Sequence, residues 1–527
     1  MSDDVHRPLT TLQHLAVDAG DDAWPAYWAA RGSAWRTQPE IDERRQAYLS
    51  TQRAITANSK KSVYPFKDVR LTRADVEWLL ATHESGGMRG PVDWSDERHA
   101  QREGLDLRGA SLSGVDLTGL PLARLRGGLT EDEWRNAQAR QVEAAALHLE
   151  GADVSGAHVE GAILEGAHLE EARLRDAYLE RANLRFAHLE GASLANASLE
   201  RAALLGAALD GAVLNGAHLE FAELGNVSLA GAELFGAHLE GARLSNAQMA
   251  GKRMSHNVLE RVRRWRPDFP ETLPGANIGG MFCDPATVLD DAVLGDPIYG
   301  SVSVADLRWG GVNLAVVDWT PVKQLGDERE ARQDMPDGAG GGQRKDQETR
   351  LSEFRTALRA NRQMAVELRD QGLNEEADRF AYRAQVLHRD VLLIQALWRT
   401  EMRLTVKSGA SVTPWQRVRT LSAYIFSYFL DILAGYGYRP GRSFVAYVLS
   451  LVVFAVLYYV IGQDIHTPLT VIDALSLSIN SFHGRGFLPS TVAPGDPVTV
   501  LTAVEAIVGL VIEISFIATF TQRFFGR

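Results

Sequence analysis

Cysteine is almost absent from this sequence of 527 residues, since Cys283 is the only one. No internal disulfide can therefore form, and no cluster of cysteines and histidines has the spacing of a zinc site. Cys283 is expected to be a small buried hydrophobic residue and not a nucleophile. The first twenty residues lack a basic segment followed by an apolar core, so no secretory signal is expected. These absences predict a cytosolic location for the soluble part, with neither a metal site nor a cofactor.

An excess of basic charge is also lacking. The 55 basic and 67 acidic residues give a net charge of −12, which argues against nucleic acid as the main partner. The stretch GAGGGQRK is not a phosphate-binding loop, because it lacks a Gly-Lys pair followed by Ser or Thr at the start of a helix. No arrangement of Ser, His and Asp stands out either. We therefore assign no catalytic residue and do not expect an enzyme.

Long apolar runs are missing except in the C-terminal part of the chain. Residues 443–461 carry no charge and are long enough to cross a hydrocarbon core of about 30 Å. A second run, residues 498–521, is also long enough, although it contains Glu505 and Glu513. Carboxylates are costly in lipid, so these two side chains should face protein or water. The two runs predict a membrane hairpin.

Arginines flank both runs on one side of this hairpin. Arg439 and Arg442 precede the first run, and Arg523 and Arg527 follow the second. By the positive-inside rule both chain ends should lie in the cytosol. We expect a multi-pass protein of a bacterial inner (plasma) membrane, with the lipid bilayer as a partner.

A five-residue repeat fills the middle of the chain. An aliphatic residue occupies every fifth position from Leu149 to Met249, and alanine usually lies two residues before it. A shorter run of the same type, Leu107 to Leu122, precedes a helix-like insertion. This spacing resembles that of pentapeptide-repeat proteins. The resemblance implies a right-handed quadrilateral β-helix with four pentapeptides per coil and with Leu and Ala pointing inward.

A coil of twenty residues would stack residues twenty apart at the β spacing of about 4.8 Å. Outward side chains then form columns. Stacked carboxylates repel one another, which should raise their pKa values, so a proton, a cation or a basic partner would stabilise these surfaces. The alternative is a solvated polar face produced by internal duplication. The columns are Glu160, Glu180, Glu200, Glu220 and Glu240; Glu150, Glu170, Glu190 and Asp210; His148, His168 and His188; and His158, His218 and His238, interrupted by Tyr178 and Ser198.

The sequence as a whole predicts a multidomain protein. Its parts are a mostly helical N-terminal cap, 1–103; the β-helix, 104–320, with the helical insertion near 129–146; a flexible, Gly-rich linker, 321–349; an α-helical hairpin similar to a single tetratricopeptide-like unit, 350–400; an amphipathic interfacial helix, 415–440; and a two-transmembrane-helix pore domain, 441–527, with a pore loop at 471–490.

Between the two runs a short apolar helix leads into a loop with two glycines. Irregular backbone at membrane depth must be buried in protein or line a watery cavity, so we expect a re-entrant pore helix. The segment resembles the pore helix and selectivity filter of two-transmembrane potassium-channel-like pores, where a Thr-Thr-Val-Gly-Tyr-Gly-Asp pattern is expected. The glycines match and the other residues depart from it. The residues at these places are Ser481, Phe482, His483, Gly484, Arg485, Gly486 and Phe487.

The departure leaves two readings of Arg485. It pairs with Glu505 behind the filter, or it faces the pore, where four copies would repel cations. Glu505, Gly509 and Glu513 are four residues apart and share one stripe of a helix, and Gly509 matches a hinge-like glycine of the resembled pores. Tight helix packing is an equal explanation for Gly509. Because Glu513 attracts cations, cations are favoured over anions.

These features predict a tetrameric ion channel that a cytosolic β-helix gates. Its partners would be permeating inorganic ions, three further copies of the chain and a cytosolic protein on the β-helix, with coupling through the region of Asp431. The alternative is a non-conducting, membrane-anchored interaction or sensor scaffold. A nucleic-acid mimic, a role of some pentapeptide-repeat proteins, is disfavoured by the membrane spans.

Overall fold

The structure is a computed structural model and describes residues 23–333, 345–405, 414–464, 469–484 and 497–525. The chain forms two units, Met1–Gly342 and Gln343–Arg527. The first contains the repeats, and the second is helical in its described part.

Parallel β-bridges join residues that are twenty apart in the repeat region. Four bridges link each coil to the next, so the coil has four faces. Between the first two full coils the pairs are His148–His168, Asp153–Arg173, His158–Tyr178 and Ile163–Asn183. The β-helix expected from the five-residue period is confirmed.

Each repeat places one aliphatic and one small residue inside the coil. From Leu149 to Met249 the aliphatic residues at every fifth position are at most 4 % exposed, and the alanines between them are buried as well. Burying a leucine contributes roughly 2 kcal/mol. Because the pattern recurs on all four faces, one continuous apolar core runs along the axis.

The corners of the coil are two-residue turns. At one corner the carbonyl of Leu149 accepts a hydrogen bond from the N–H of Ala152 at 3.0 Å. The second turn residue, Gly151, has φ of +64°. Glu171 occupies the same place one coil later with φ of +56°. A left-handed conformation costs a non-glycine residue about 1–2 kcal/mol, which explains why glycine recurs at this position of the repeat.

The N-terminal cap covers the first coil. Arg70 pairs in parallel with Ser111, whose carbonyl also accepts the N–H of Leu71 at 3.0 Å, so the cap satisfies an edge that would otherwise be open. The cap elements are α1 (Trp24–Ala29), α2 (Glu43–Arg53), α3 (Arg73–Ala81), β1 (Glu84–Ser85), its antiparallel partner β2 (Met88–Arg89), and 3-10 turns at Ser59–Lys61 and Glu97–His99.

Two segments leave the β-helix and return to it. The first contains α4 (Glu131–Trp134) and α5 (Ala139–Ala145), and Arg126 still pairs with Ile163 across it. The second contains β3 (Lys252–Arg253), α6 (His256–Arg263) and β4 (Thr272–Leu273). We call the second segment, residues 250–275, the basic insertion; the sequence analysis did not predict it. The coil resumes where Glu233 pairs with Asn277.

The far end of the first unit contains β5 (Gly295–Asp296), β6 (Gly300–Ser301), a 3-10 turn (Leu314–Val316) and α7 (Gly326–Arg332).

The predicted flexible linker, 321–349, is wrong at both of its ends. Leu325 is fully buried, and the carboxylate of Asp327 accepts the N–H groups of Val304 at 2.7 Å and Ala305 at 3.2 Å, so α7 is fixed to the last coil. At the other end a helix already begins at Gln347. Residues 334–344 lie outside the described residues.

The described part of the second unit consists of helices. The first two form a hairpin around Gly372, which has φ of +80°. The elements are α8 (Gln347–Asp370), α9 (Asn374–Thr405), α10 (Pro414–Ala434), a 3-10 turn (Gly435–Gly437), α11 (Pro440–Ile461), a 3-10 turn (Gly462–Asp464), α12 (Val471–Phe482) and α13 (Pro497–Phe525).

Two stretches in these helices, Gly441–Ile461 and Pro497–Ala518, are long and apolar enough to cross a membrane. Their apolar side chains are largely exposed in the single chain; Val445, for example, is 63 % exposed and Ile507 is 66 % exposed. Lipid or a further copy of the chain would cover such a surface.

Candidate functional site

The three last helices, α11, α12 and α13, form what we call the C-terminal module. The short helix α12 packs against both long helices, and Tyr458, Ala474 and Val498 form part of a shared buried cluster. Helix α12 begins at a capping box in which Thr470 and Asp473 bond each other's backbone N–H groups.

Glu505 joins all three helices of the module. Its side chain is completely buried, accepts a hydrogen bond from the Tyr458 hydroxyl at 2.7 Å, and accepts another from the Ser478 hydroxyl. A buried carboxyl group without partners would cost several kcal/mol. Tyr458 and Ser478 were not predicted from the sequence, because hydroxyl donors on other helices leave no local pattern. Arg485, the predicted partner of Glu505, lies outside the described residues.

Gly509 lies where α13 crosses the end of α12. A Cβ at this position would be 2.1 Å from the backbone oxygen of Phe482, far inside van der Waals contact. The close approach accounts for glycine by packing, which is one of the two explanations for Gly509 left open by the sequence.

His483 and Glu513 meet at the end of α12. The Nδ1 atom of His483 is hydrogen-bonded to Oε1 of Glu513, and the Tyr447 hydroxyl lies 3.4 Å from Nε2. Ser481 and Phe482 are buried, whereas His483 and Gly484 are exposed. The other three predicted filter residues, Arg485, Gly486 and Phe487, lie outside the described residues.

Asp431 connects the helical hairpin to the C-terminal module. Its carboxylate accepts hydrogen bonds from the Tyr382 hydroxyl at 2.8 Å, from Arg389 at 2.7 Å and from Arg442 at 2.9 Å. Partial burial alone would raise the pKa of Asp431, but the bonds from Arg389 and Tyr382 outweigh it and lower the pKa. Through one carboxylate, α9, α10 and α11 are joined.

The acidic columns lie at corners of the β-helix. Each glutamate backbone carbonyl accepts an N–H from the coil before it, as Glu170 does from Gly151 at 2.9 Å. Histidines two residues earlier stack, with ring centroids of His148 and His168 4.8 Å apart. We call one of the two columns, with its histidines, the covered column; its carboxylates are Glu150, Glu170, Glu190 and Asp210. We call the other the open column; it consists of Glu160, Glu180, Glu200, Glu220 and Glu240 with His158, His218 and His238.

The basic insertion supplies cationic partners to three of the four carboxylates of the covered column. Arg261 places Nε 3.1 Å from the Glu170 carboxylate and Nη2 3.5 Å from that of Glu190. Lys252 pairs with Asp210 at 2.6 Å. Leu259 and Val262 anchor the helix in a small apolar cluster. The run RVRRWR was the available sequence signal, since it joins helical apolar spacing to a cluster of arginines.

The predicted rise in carboxyl pKa values is found at Glu180, and the opposite shift is found at Glu150. Burial, and then repulsion from Glu160 and Glu200, raise the pKa of Glu180. Burial would also raise that of Glu150, but hydrogen bonds from His148 and Ser113 lower its pKa to about 2. The hydrogen-bond donors of Glu150 therefore account for the opposite direction of the shift at these two positions.

The sequence model of the pentapeptide-repeat family matches this chain in eight copies, over residues 148–181, 177–216 and 212–249. Two solved structures that align are a trypsin-treated form of QnrB1, a plasmid-mediated fluoroquinolone resistance protein, and HetL of the cyanobacterium Nostoc sp. strain PCC 7120, which is involved in heterocyst differentiation regulation. QnrB1 is 23 % identical, over 40 % of this chain and 78 % of its own, with a TM-score of 0.23. HetL is 19 % identical, over 51 % and 99 %, with a TM-score of 0.23.

A pentapeptide repeat protein of the Arabidopsis thaliana thylakoid lumen is 26 % identical, over 22 % of this chain and 77 % of its own, with a TM-score of 0.10. No curated protein matches the sequence. The eight repeat copies and the four-faced coil agree with each other on the same residues. The chain therefore contains a pentapeptide-repeat domain.

Proposed function

We propose that this protein is the subunit of a membrane ion channel whose pore is built by several copies of the C-terminal module. The observation that carries the proposal is the packing of α12 between two apolar helices, with its last carbonyl against Gly509. The helix ends at Phe482, and non-helical backbone such as that of His483 and Gly484 is tolerated at membrane depth where it is buried in protein or lines a watery cavity. One such hairpin cannot enclose a pore, so conduction requires association, and four copies is the number in the resembled pores.

Cations are the ions that this module would favour. Each copy would contribute one Glu513 near the end of α12, and its hydrogen bond to His483 holds the carboxylate there. A ring of carboxylates attracts cations and repels anions. If Arg485 faces the pore, its positive charge would repel cations and attract anions. Whether the channel selects cations or anions would therefore indicate where Arg485 lies.

Regulation would reach the module through Asp431. Helix α9 supplies Tyr382 and Arg389, and α11 supplies Arg442, to the same carboxylate. A movement of the helical hairpin would thus pull directly on the first span. Such coupling requires a stimulus that binds two states of the protein with different affinity.

The experiment is ion flux into vesicles that contain the purified full-length protein, measured for the wild type and for Asp431→Asn. Flux that depends on the protein, and that has altered regulation in the variant, supports the proposal. A protein that inserts correctly but carries no flux favours the alternative, a membrane-anchored scaffold for the pentapeptide-repeat domain. Both the ion channel and the membrane-anchored scaffold would lie in a bacterial plasma membrane, with both chain ends in the cytosol.

A further inference from the structure

Four groups of His and Glu side chains in the described residues bring three ligand-type atoms within 4.8 Å of one another. Both histidine-bearing columns contribute two groups each. They are His148, Glu150 and His168; Glu170, His188 and Glu190; Glu200, His218 and Glu220; and Glu220, His238 and Glu240.

Both groups of the covered column already have partners from the protein. In the first, Ser113 donates to one oxygen of Glu150 at 2.6 Å and His148 is bonded to the other at 2.9 Å. In the second, the guanidinium of Arg261 lies against Glu170 and Glu190. This corner therefore binds a cation, and the chain itself supplies it.

The two groups of the open column lack such partners. His218 bonds one oxygen of Glu220 at 3.1 Å, and His238 lies 3.5 Å from one oxygen of Glu240. Among the described residues no lysine or arginine forms an ion pair with this column. The Oε2 atoms of its five glutamates are all buried without a hydrogen-bond partner, as are those of Glu170 and Glu190 in the covered column, so the difference between the columns is the missing cation. The side chains of Glu220 and Glu240 are 25 % and 33 % exposed, so an ion from solution can reach their carboxylates.

A divalent cation would satisfy these oxygens. Tetrahedral zinc takes imidazole nitrogen and carboxylate oxygen at about 2.0–2.2 Å. The backbone ladder holds His218 and His238 in register, with ring centroids 4.9 Å apart, so only rotation of the side chains is needed to close the ligands around an ion. The positive charge would also relieve repulsion between three stacked carboxylates.

We propose that Glu200, His218, Glu220, His238 and Glu240 form a binding site for a divalent transition-metal ion of the zinc class. Zinc-site patterns in sequences rely on ligands a few residues apart, whereas the ligands from successive coils are eighteen or twenty residues apart and meet only in the β-helix. The site does not depend on whether the C-terminal module conducts ions.

The test is calorimetric titration of the full-length protein with Zn²⁺, together with the visible absorption of bound Co²⁺. The wild type should bind with a spectrum of nitrogen and oxygen ligands. Glu220→Gln, which removes the carboxylate shared by both groups at nearly constant volume, should weaken binding at least tenfold. His188→Ala, on the covered column where Arg261 holds the carboxylates, should leave binding unchanged.

Thermal unfolding separates loss of the site from loss of the fold. Without metal, Glu220→Gln should unfold at or above the wild-type temperature, because one repelling charge is gone. Zn²⁺ should raise the unfolding temperature of the wild type and not of this variant. Absence of binding by the wild type, binding by Glu220→Gln equal to the wild type, or an equal loss in His188→Ala would overturn the proposal.

Discussion

The α-carbon of Gly509 lies against the backbone carbonyl of Phe482, so close that an added Cβ would be 2.1 Å from the oxygen. At Gly441, in the other long helix, an added Cβ would have no atom within 4 Å apart from those of its chain neighbours and its own helix backbone. Alanine is the better helix former by up to about 1 kcal/mol, so propensity alone predicts that Ala stabilises both sites. Substituting each glycine by alanine therefore distinguishes the effect of close packing from the effect of helix propensity.

We predict opposite outcomes for the two substitutions. Gly509→Ala should lower the unfolding temperature in detergent, because α12 must move away from α13. Gly441→Ala should leave it unchanged or raise it slightly. Equal behaviour of the two variants would contradict the close packing of α12.

The hydroxyl of Tyr458 should matter far more than that of its neighbour. Tyr458→Phe leaves the buried Glu505 with Ser478 as its one described hydroxyl donor, and losing a partner of a buried polar group costs about 1–3 kcal/mol. Tyr459 is 42 % exposed, so Tyr459→Phe is the matched control. Chemical denaturation in micelles measures both; a loss confined to the control would refute the assignment.

Removing the guanidinium from the covered column should destabilise the pentapeptide-repeat domain. Arg261→Ala leaves Glu170 and Glu190 buried side by side without their cation, and breaking such a pair costs on the order of 3 kcal/mol. Arg264 is exposed on the same segment, and Arg264→Ala should change the free energy of unfolding by less than about 0.5 kcal/mol. Denaturant titration compares the two.

Stability of the first unit should fall as pH rises from about 5 to 8. Burial raises the pKa of Glu171 to about 7 and that of Asp327 to about 6, so the native state binds protons that the unfolded state releases. Burial would lower the pKa of His168, but the hydrogen bond to Glu170 outweighs burial and raises the pKa. Protonated His168 therefore stabilises the native state at pH values below its ordinary pKa, and this contribution is lost as the pH rises through the raised pKa. These effects have the same sign, and they outnumber the opposite one from His83, whose pKa is lowered by burial.

Glu171→Gln tests the largest of these contributions. The variant should gain about 2 kcal/mol at pH 8, because the buried charge is gone, and little at pH 4.5, where the carboxyl group is protonated in the native state and about half protonated in the unfolded state. Unfolding temperatures across this range provide the measurement. A gain that does not depend on pH would show that charge is not the cause.

The five-residue period was sufficient to predict the coil, its inward leucines and the vertical columns, because each repeat interacts only with its neighbours in the coil. The basic insertion has no period, and its partners lie far away in the sequence: Arg261 meets Glu170 only after the chain has turned back over several coils. The order of α7 was missed for a related reason. Its DEREAR sequence is charged, and Asp327 is fixed by backbone groups of the preceding coil.

The measurement that tests the central proposal most directly is planar-bilayer recording of the purified protein under asymmetric KCl, with Glu513→Gln beside the wild type. We expect discrete currents with a cation-selective reversal potential, and a reversal potential shifted towards zero in Glu513→Gln. A protein that inserts into the bilayer and stays silent across pH and calcium concentration would contradict it, and the C-terminal module would then be an anchor.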